Sequence, residues 1–204
     1  MNTYKAIIFD LGKVVFDLSF DRVFQFWAKA SNKQLSEIKD KFQFDAIFDE
    51  FEKNEITPKE FRIAVSKKLS LALTDQDFDE GWCDLYLDTY PGIDNLLAKL
   101  SQHYQLVAMT NTNSIHSTVW QVKYADTLRH FQQVFSSHEL KARKPDAQAY
   151  QIVLDYLQVL PQQAVFLDDN SANISGADQL GIKTILVTSY AQMTAELQAL
   201  GLLD

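Results

Sequence analysis

The rhythm of hydrophobic and polar positions changes twice along the chain. Ala6-Ile7-Ile8-Phe9 is a short apolar run with no breaker, which reads as a strand buried on both faces. It ends at a lone carboxylate, Asp10, followed by Leu11-Gly12-Lys13 and the apolar pair Val14-Val15. From Phe16 to about Asp88 the spacing becomes helical. Phe20, Val23, Phe24 and Trp27 fall three and four apart, and Phe42, Phe44, Ile47, Phe48 and Phe51 do so less cleanly. Thr57-Pro58-Lys59-Glu60 has the form of a helix start, with a capping Thr, Pro at the first position and Glu at the third. Thr74-Asp75-Gln76-Asp77 opens in the same way. The pattern predicts four or five helices in this block and no strands.

Beyond the breaker Pro91-Gly92 the rhythm changes again, and strands alternate with helices. A helix over Ile93 to Leu100 precedes the apolar run Leu106-Val107-Ala108-Met109, which ends in Thr110-Asn111-Thr112-Asn113. A helix over Ile115 to Tyr124, a strand at Val134-Phe135 and the basic loop Arg143-Lys144-Pro145-Asp146 follow. Then come a helix over Ala147 to Leu157, the strand Ala164-Val165-Phe166-Leu167 and the acidic end Asp168-Asp169-Asn170. A helix over Ala172 to Leu180, a strand over Thr184 to Val187 and a last helix to about Leu200 complete the chain. This alternation predicts an α/β fold with a doubly wound, parallel, Rossmann-like sheet and right-handed crossovers. The expected division is a core of residues 1–15 and 89–204, with residues 16–88 inserted after the first strand as a helical cap.

Composition narrows the picture. At 204 residues, 47% hydrophobic and 23% charged, the chain is long and apolar enough for one core domain with an insert. A net charge of −8 argues against nucleic acid as a partner, but not against a small anion held by local cations. Cys83 is the lone cysteine, so no intrachain disulfide and no cysteine metal cluster can form, and a reducing cytoplasm is the expected setting. Nothing before Asp10 has room for a leader's apolar core. No apolar run approaches the ~20 residues that span a bilayer, so no membrane association is expected. A monomer or a homodimer is expected.

The candidate chemistry lies at strand ends. Asp10, Thr110-Asn111, Arg143-Lys144 and Asp168-Asp169 each fall at the carboxyl end of a strand or in the loop after it. In a parallel sheet those ends converge on one edge. Three carboxylates brought together repel one another, and a hard cation such as Mg²⁺ would hold them. Lys144, the Thr110 hydroxyl and the Asn111 amide are phosphate-binding groups. A carboxylate can attack phosphorus and form an aspartyl-phosphate.

In these blocks the chain resembles the haloacid dehalogenase (HAD) superfamily of phosphohydrolases. The resemblance places the family's nucleophile on Asp10, its phosphate-holding hydroxyl on Thr110 with Asn111 and Thr112 beside it, and its basic residue on Lys144. It places the acidic metal-binding pair on Asp168 and Asp169, with Asp169 the expected ligand, and implies that the inserted helices cap the substrate. Phe9-Asp10-Leu11-Gly12-Lys13-Val14-Val15, Thr110-Asn111-Thr112-Asn113 and Phe166-Leu167-Asp168-Asp169-Asn170 are similar to the bacterial α-D-glucose-1-phosphate phosphatase group. That implies a Mg²⁺-dependent phosphatase of a small phosphorylated metabolite, such as a sugar phosphate.

One departure stands out. Most family phosphatases carry a second Asp two residues after the nucleophile, as general acid and base. Here that position is Gly12, which offers the metal its carbonyl but cannot carry a proton. Lys13, Asp17 or a cap residue are the candidates to replace it. The alternatives are a metal-independent 2-haloacid dehalogenase and a non-catalytic phosphate-binding scaffold. His103, His116, His130 and His138 show no metal spacing and read as surface or satisfied histidines. Cys83 reads as a small buried hydrophobe. The Phe42–Phe51 stretch reads as cap core, or else as a substrate wall or dimer seam. Asp17, Arg22 and Glu52 could bond a sugar, with exposed salt bridges the simpler reading.

Overall fold

β1 (Ala6–Phe9) runs through a turn into β2 (Phe16–Leu18). A helical block follows: α1 (Phe20–Ala30), α2 (Leu35–Lys39), α3 (Ala46–Glu52), α4 (Pro58–Leu69) and α5 (Asp75–Cys83), closed by β3 (Tyr86–Thr89). The rest alternates: α6 (Ile93–Leu100), β4 (Gln105–Thr110), α7 (Ser114–Lys123), α8 (Ala125–Leu128), β5 (Gln133–Ser136) and α9 (Ser137–Leu140). It ends with α10 (Ala147–Leu157), β6 (Ala164–Asp168), α11 (Ser171–Gln179), β7 (Lys183–Leu186) and α12 (Tyr190–Ala199). This is a computed structural model, and it describes residues 4–203.

Five strands form one parallel sheet in the order β5-β4-β1-β6-β7. β1 is central and wholly buried, as its unbroken apolar run requires. Side chains alternate across a strand. Ile7 and Phe9 accordingly pack with Ile93, Leu97, Met193 and Leu197 on one face. Ala6 and Ile8 pack with Tyr150, Val153 and Leu154 on the other. The chain builds outward from β1 through β4 to β5, then crosses back to β6 and β7. The switch point therefore lies at the carboxyl ends of β1 and β6, where open α/β sheets bind ligands.

The helical block has an aromatic interior that is continuous with the core on one face of the sheet. Trp27, Phe51, Phe61, Phe78 and Trp82 are all buried. Phe51 stacks on Phe61 at 4.2 Å, and the Trp27 indole donates to the Phe78 carbonyl at 3.1 Å. The two sequence-level helix starts are real. Thr57 forms a capping box with Glu60 around Pro58, and Thr74 accepts from the Asp77 backbone.

The expectation of no strands between Phe16 and Asp88 is wrong. β2 and β3 pair antiparallel as a two-stranded ribbon at the base of the block. Each is three or four residues long, too short to show a period of two. The pairing joins segments about 70 residues apart, so no local pattern reveals it. Phe42 and Phe44 also lie outside any helix, in the loop between α2 and α3. The short helices α8 and α9 had no sequence signal.

Candidate active site

Register sets the floor of the site. Phe9 pairs with Leu167 across β1 and β6, and the Asp10 N–H donates to the Leu167 carbonyl at 2.8 Å. Asp10 and Asp168 are therefore neighbours at the end of the sheet. Between them sits Lys144, which is 1% exposed. Its Nζ donates to Asp10 Oδ1 at 2.7 Å, Asp168 Oδ2 at 2.7 Å and the Met109 carbonyl at 2.8 Å. An ammonium has three donors, so all are engaged. Burial alone would lower this lysine's pKa, but the charges and hydrogen bonds of Asp10 and Asp168 outweigh it and hold the ammonium above the usual lysine range.

Asp168 is the most enclosed carboxylate. Besides Lys144 it accepts from the Asn170 N–H at 2.8 Å and from Asn173 Nδ2 at 3.1 and 3.0 Å. Asn173 lies one turn into α11 and has no sequence signal that separates it from other helical asparagines. Asp169 is exposed toward the cavity, and burial together with the Asp168 charge raises its pKa. Oxygens of Asp10, Asp168 and Asp169 lie within 4.8 Å of one another. One buried lysine does not neutralise three carboxylates. Burial, opposed by Lys144 and reinforced by Asp168 and Asp169, pushes the Asp10 carboxyl up to about 7. A site with that much uncompensated negative charge and only oxygen donors fits a hard divalent ion such as Mg²⁺. Asp169 and Asp10 face the cavity that would receive it, with Gly12 beside them.

The other expected residues gather at the same edge. Thr110 ends β4 and lines the cavity. The Asn111 side chain is otherwise engaged. Its Nδ2 donates to the Lys144 carbonyl at 2.9 Å, and its Oδ1 accepts from the Lys144 N–H at 3.0 Å. It positions the lysine rather than presenting an amide to the cavity. Thr112 is tied to α9, its N–H donating to Ser137 Oγ and its carbonyl accepting from that hydroxyl, both at 2.9 Å. Its own hydroxyl accepts from Trp120 Nε1 at 3.2 Å. Gly176 on α11 presses against the loop after Lys144. A Cβ there would stand 2.6 Å from the Pro145 carbonyl oxygen, so only glycine permits this approach.

The floor opens into a cavity of about 480 Å³ between the sheet edge and the helical block. Its far wall is largely aromatic: Phe20, Phe44, Phe48, Phe51, Trp82 and Tyr86. The Phe42–Phe51 stretch is thus both interior and wall, with Phe48 and Phe51 buried and Phe44 61% exposed at the rim. Arg143 joins the two sides, donating from Nε to Glu52 Oε2 at 2.9 Å and pairing with Asp49 Oδ1 at 2.8 Å. Burial nonetheless raises the Glu52 carboxyl above its usual range. Asp17 accepts from the Leu18 N–H and from the Tyr90 hydroxyl, and Arg22 makes an exposed ion pair with Asp84.

Among the histidines, His116 lines the cavity, with Nε2 on the Trp82 carbonyl at 3.0 Å and Nδ1 on Asn113 at 3.2 Å. It is a satisfied core histidine stacked on Trp82. Cys83 is half-buried, and burial pushes its thiol up to about 12.

A parallel sheet with three carboxylates and a buried lysine at its switch point defines an α/β protein whose site fits a divalent ion. The chain belongs to the haloacid dehalogenase-like hydrolase family, whose model matches residues 7–187. It is 23% identical to a D-ribitol-5-phosphate phosphatase of Bacteroides thetaiotaomicron, over 95% of this chain and 96% of that one. A HAD family enzyme of the same organism, crystallised with magnesium and inorganic phosphate, superposes with a TM-score of 0.78 at 28% identity. That match covers 93% of this chain and 98% of the other. The L-2-haloacid dehalogenase of Xanthobacter autotrophicus shares the fold, at TM-score 0.67 and 18% identity over 98% of this chain and 85% of its own. Among the described residues no helix is long and apolar enough to cross a membrane.

Proposed function

We propose that the chain is a Mg²⁺-dependent phosphatase that hydrolyses a small phosphorylated metabolite through an aspartyl-phosphate on Asp10. The observation that carries this reading is the trio Asp10, Asp168 and Asp169, within 4.8 Å and bridged by one buried lysine, at the floor of a cavity. Asp10 Oδ attacks phosphorus and the ester oxygen departs. Water then attacks the acyl phosphate and regenerates the carboxylate. Lys144 fixes the Asp10 rotamer and brings positive charge to the phosphoryl group, while Thr110 offers it a hydroxyl. Asp10, Asp169 and the Gly12 carbonyl would hold Mg²⁺, with Asp168 orienting. When bound, the ion supplies positive charge against the phosphoryl oxygens. The helical block, residues 16–88, acts as a cap that excludes water.

The substrate is a sugar phosphate such as glucose 1-phosphate. Resemblance to that phosphatase group supports the choice of glucose 1-phosphate, while the D-ribitol-5-phosphate phosphatase relative supports only the broader class of small phosphorylated metabolites. The lone cysteine fits work in a reducing cytoplasm. Displacement at carbon, as in a dehalogenase, needs no metal, so a carboxylate cluster that fits a divalent ion counts against it.

The deciding comparison is wild type against Asp10→Asn with Mg²⁺ present, each checked for fold by circular dichroism. The variant is expected to release no phosphate from any ester that the wild type cleaves. Wild-type phosphate release by Asp10→Asn, or halide release by the wild type without Mg²⁺, overturns the reading.

A further inference from the structure

On the phosphatase reading the site holds a nucleophile, yet among the described residues no side chain stands beside Asp10 to protonate what leaves. Gly12 lines the cavity two residues after Asp10 and has no side chain. A Cβ placed there would stand 2.7 Å from Leu18 Cδ1, so hydrocarbon occupies that side of the floor. Apart from Lys13 and Asp169, the titratable groups around the cavity are engaged. Both Asp168 oxygens accept hydrogen bonds from the protein. Both ring nitrogens of His116 are paired. Asp49 and Glu52 are held by Arg143, and Lys144 has its three acceptors. Asp17 is turned to Leu18 and Tyr90. Lys13 is exposed at the rim, in the field of Asp169. The space into which the leaving group must project is walled by rings, including Phe20, Phe44, Phe48 and Trp82. An aromatic wall accepts the flat, apolar face of a ring.

Resting on the phosphatase reading above, we propose that the enzyme selects esters whose leaving oxygen is borne on a ring and is acidic enough to depart unprotonated. Aryl and anomeric sugar phosphates meet that condition, and primary alkyl phosphates do not. In the first step the bond from Asp10 Oδ to phosphorus forms while the bond from phosphorus to the ester oxygen breaks. The electron pair stays on that oxygen, which leaves as an anion and takes its proton from solvent water. In the second step water adds to phosphorus, the acyl phosphate bond breaks with its pair returning to Asp10, and the surplus proton passes to solvent.

The test is the dependence of kcat/KM on leaving-group pKa, because kcat/KM reports only the steps up to departure. Wild-type enzyme with saturating Mg²⁺ is assayed on substituted phenyl phosphates of similar size. Glucose 1-phosphate, glucose 6-phosphate and ribitol 5-phosphate are compared alongside. The expected result is a fall of roughly threefold or more per unit rise in leaving-group pKa, as for a reaction without proton donation. The anomeric phosphate should exceed the 6-phosphate by at least about tenfold on the same ground. Glu52→Gln should leave the slope unchanged. A flat slope in the wild type, primary phosphates cleaved as fast as anomeric ones, or a slope that steepens in Glu52→Gln overturns the proposal while the phosphatase reading stands. No turnover of any ester with Mg²⁺ overturns both.

Discussion

The sheet side of the cavity is charged, buried and fixed by directional bonds, whereas the helical side is aromatic and fixed by packing. On the sheet side Lys144, Asp10 and Asp168 meet at 2.7 Å, with Asn111 and Asn173 holding the lysine backbone and the aspartate. On the helical side Phe48 meets Phe42, Phe44 and Phe61 edge-on at centroid separations of 5.1 to 5.4 Å. Burying charge is unfavourable unless every partner is present, so the first side tolerates no single loss. Rings of similar volume can replace one another at modest cost, so the second side can change without unfolding the protein. On the proposed reading, one side fixes the reaction and the other is free to set the substrate.

The largest expected effect comes from breaking the charged side. Lys144→Ala leaves Asp10 and Asp168 buried without a cation, and removing one partner of such a set costs about 3–5 kcal/mol. Urea unfolding should show that loss, together with no detectable phosphate release. Phe48→Leu on the other wall should cost about 1–2 kcal/mol, less than Lys144→Ala, and retain turnover while shifting substrate preference. Equal losses from the two substitutions would erase the distinction between the walls.

Next in size is an acid weakness on the aromatic side. Burial pulls the His116 imidazole from 6.5 down to about 3, against the opposing hydrogen bond with the Trp82 carbonyl. Below about pH 6.5 the unfolded chain binds a proton that the native state does not. The stabilisation is therefore complete above pH 6.5 and is lost as pH falls from there toward 3. The loss approaches a few kcal/mol at the acid end. Unfolding free energies across that window should lose most of this slope in His116→Asn. An unchanged slope would mean that other groups set the acid limit.

The same contrast explains what could be read in the chain. Asp10, Thr110 and Asp168-Asp169 end apolar runs, a parallel sheet must bring such ends together, and Lys144 stands in a basic loop after a strand. The core architecture and the site's charged floor were legible for that reason. The positioning asparagines were not. Asn173 looks like any helical asparagine, and Asn111 looks like a ligand group until its partner is seen to be the Lys144 backbone. The β2–β3 ribbon was hidden because its pairing is non-local and only a few residues long. Leu18 beside Gly12 was hidden too, since only the folded ribbon brings that methyl there.

The smallest expected effect comes from the link between the walls. Arg143 precedes Lys144 in the loop and reaches Asp49 and Glu52 on α3, so it ties the helical side to the residue that holds Asp10. Arg143 is 23% exposed, Glu52 21% and Asp49 52%, so solvent screens the pairs and their net worth is about 1 kcal/mol. Arg143→Ala should therefore loosen the tie between the two walls without touching Asp10. KM should rise roughly fivefold with kcat little changed, and the thermal midpoint should move little. Glu52→Ala should show a similar, smaller rise, and the double variant should fall short of the sum, because the two residues share one interaction. A loss in kcat as deep as that of Lys144→Ala would instead place the guanidinium on the phosphoryl group. The division between a wall that does chemistry and a wall that chooses substrate would then fail at this loop.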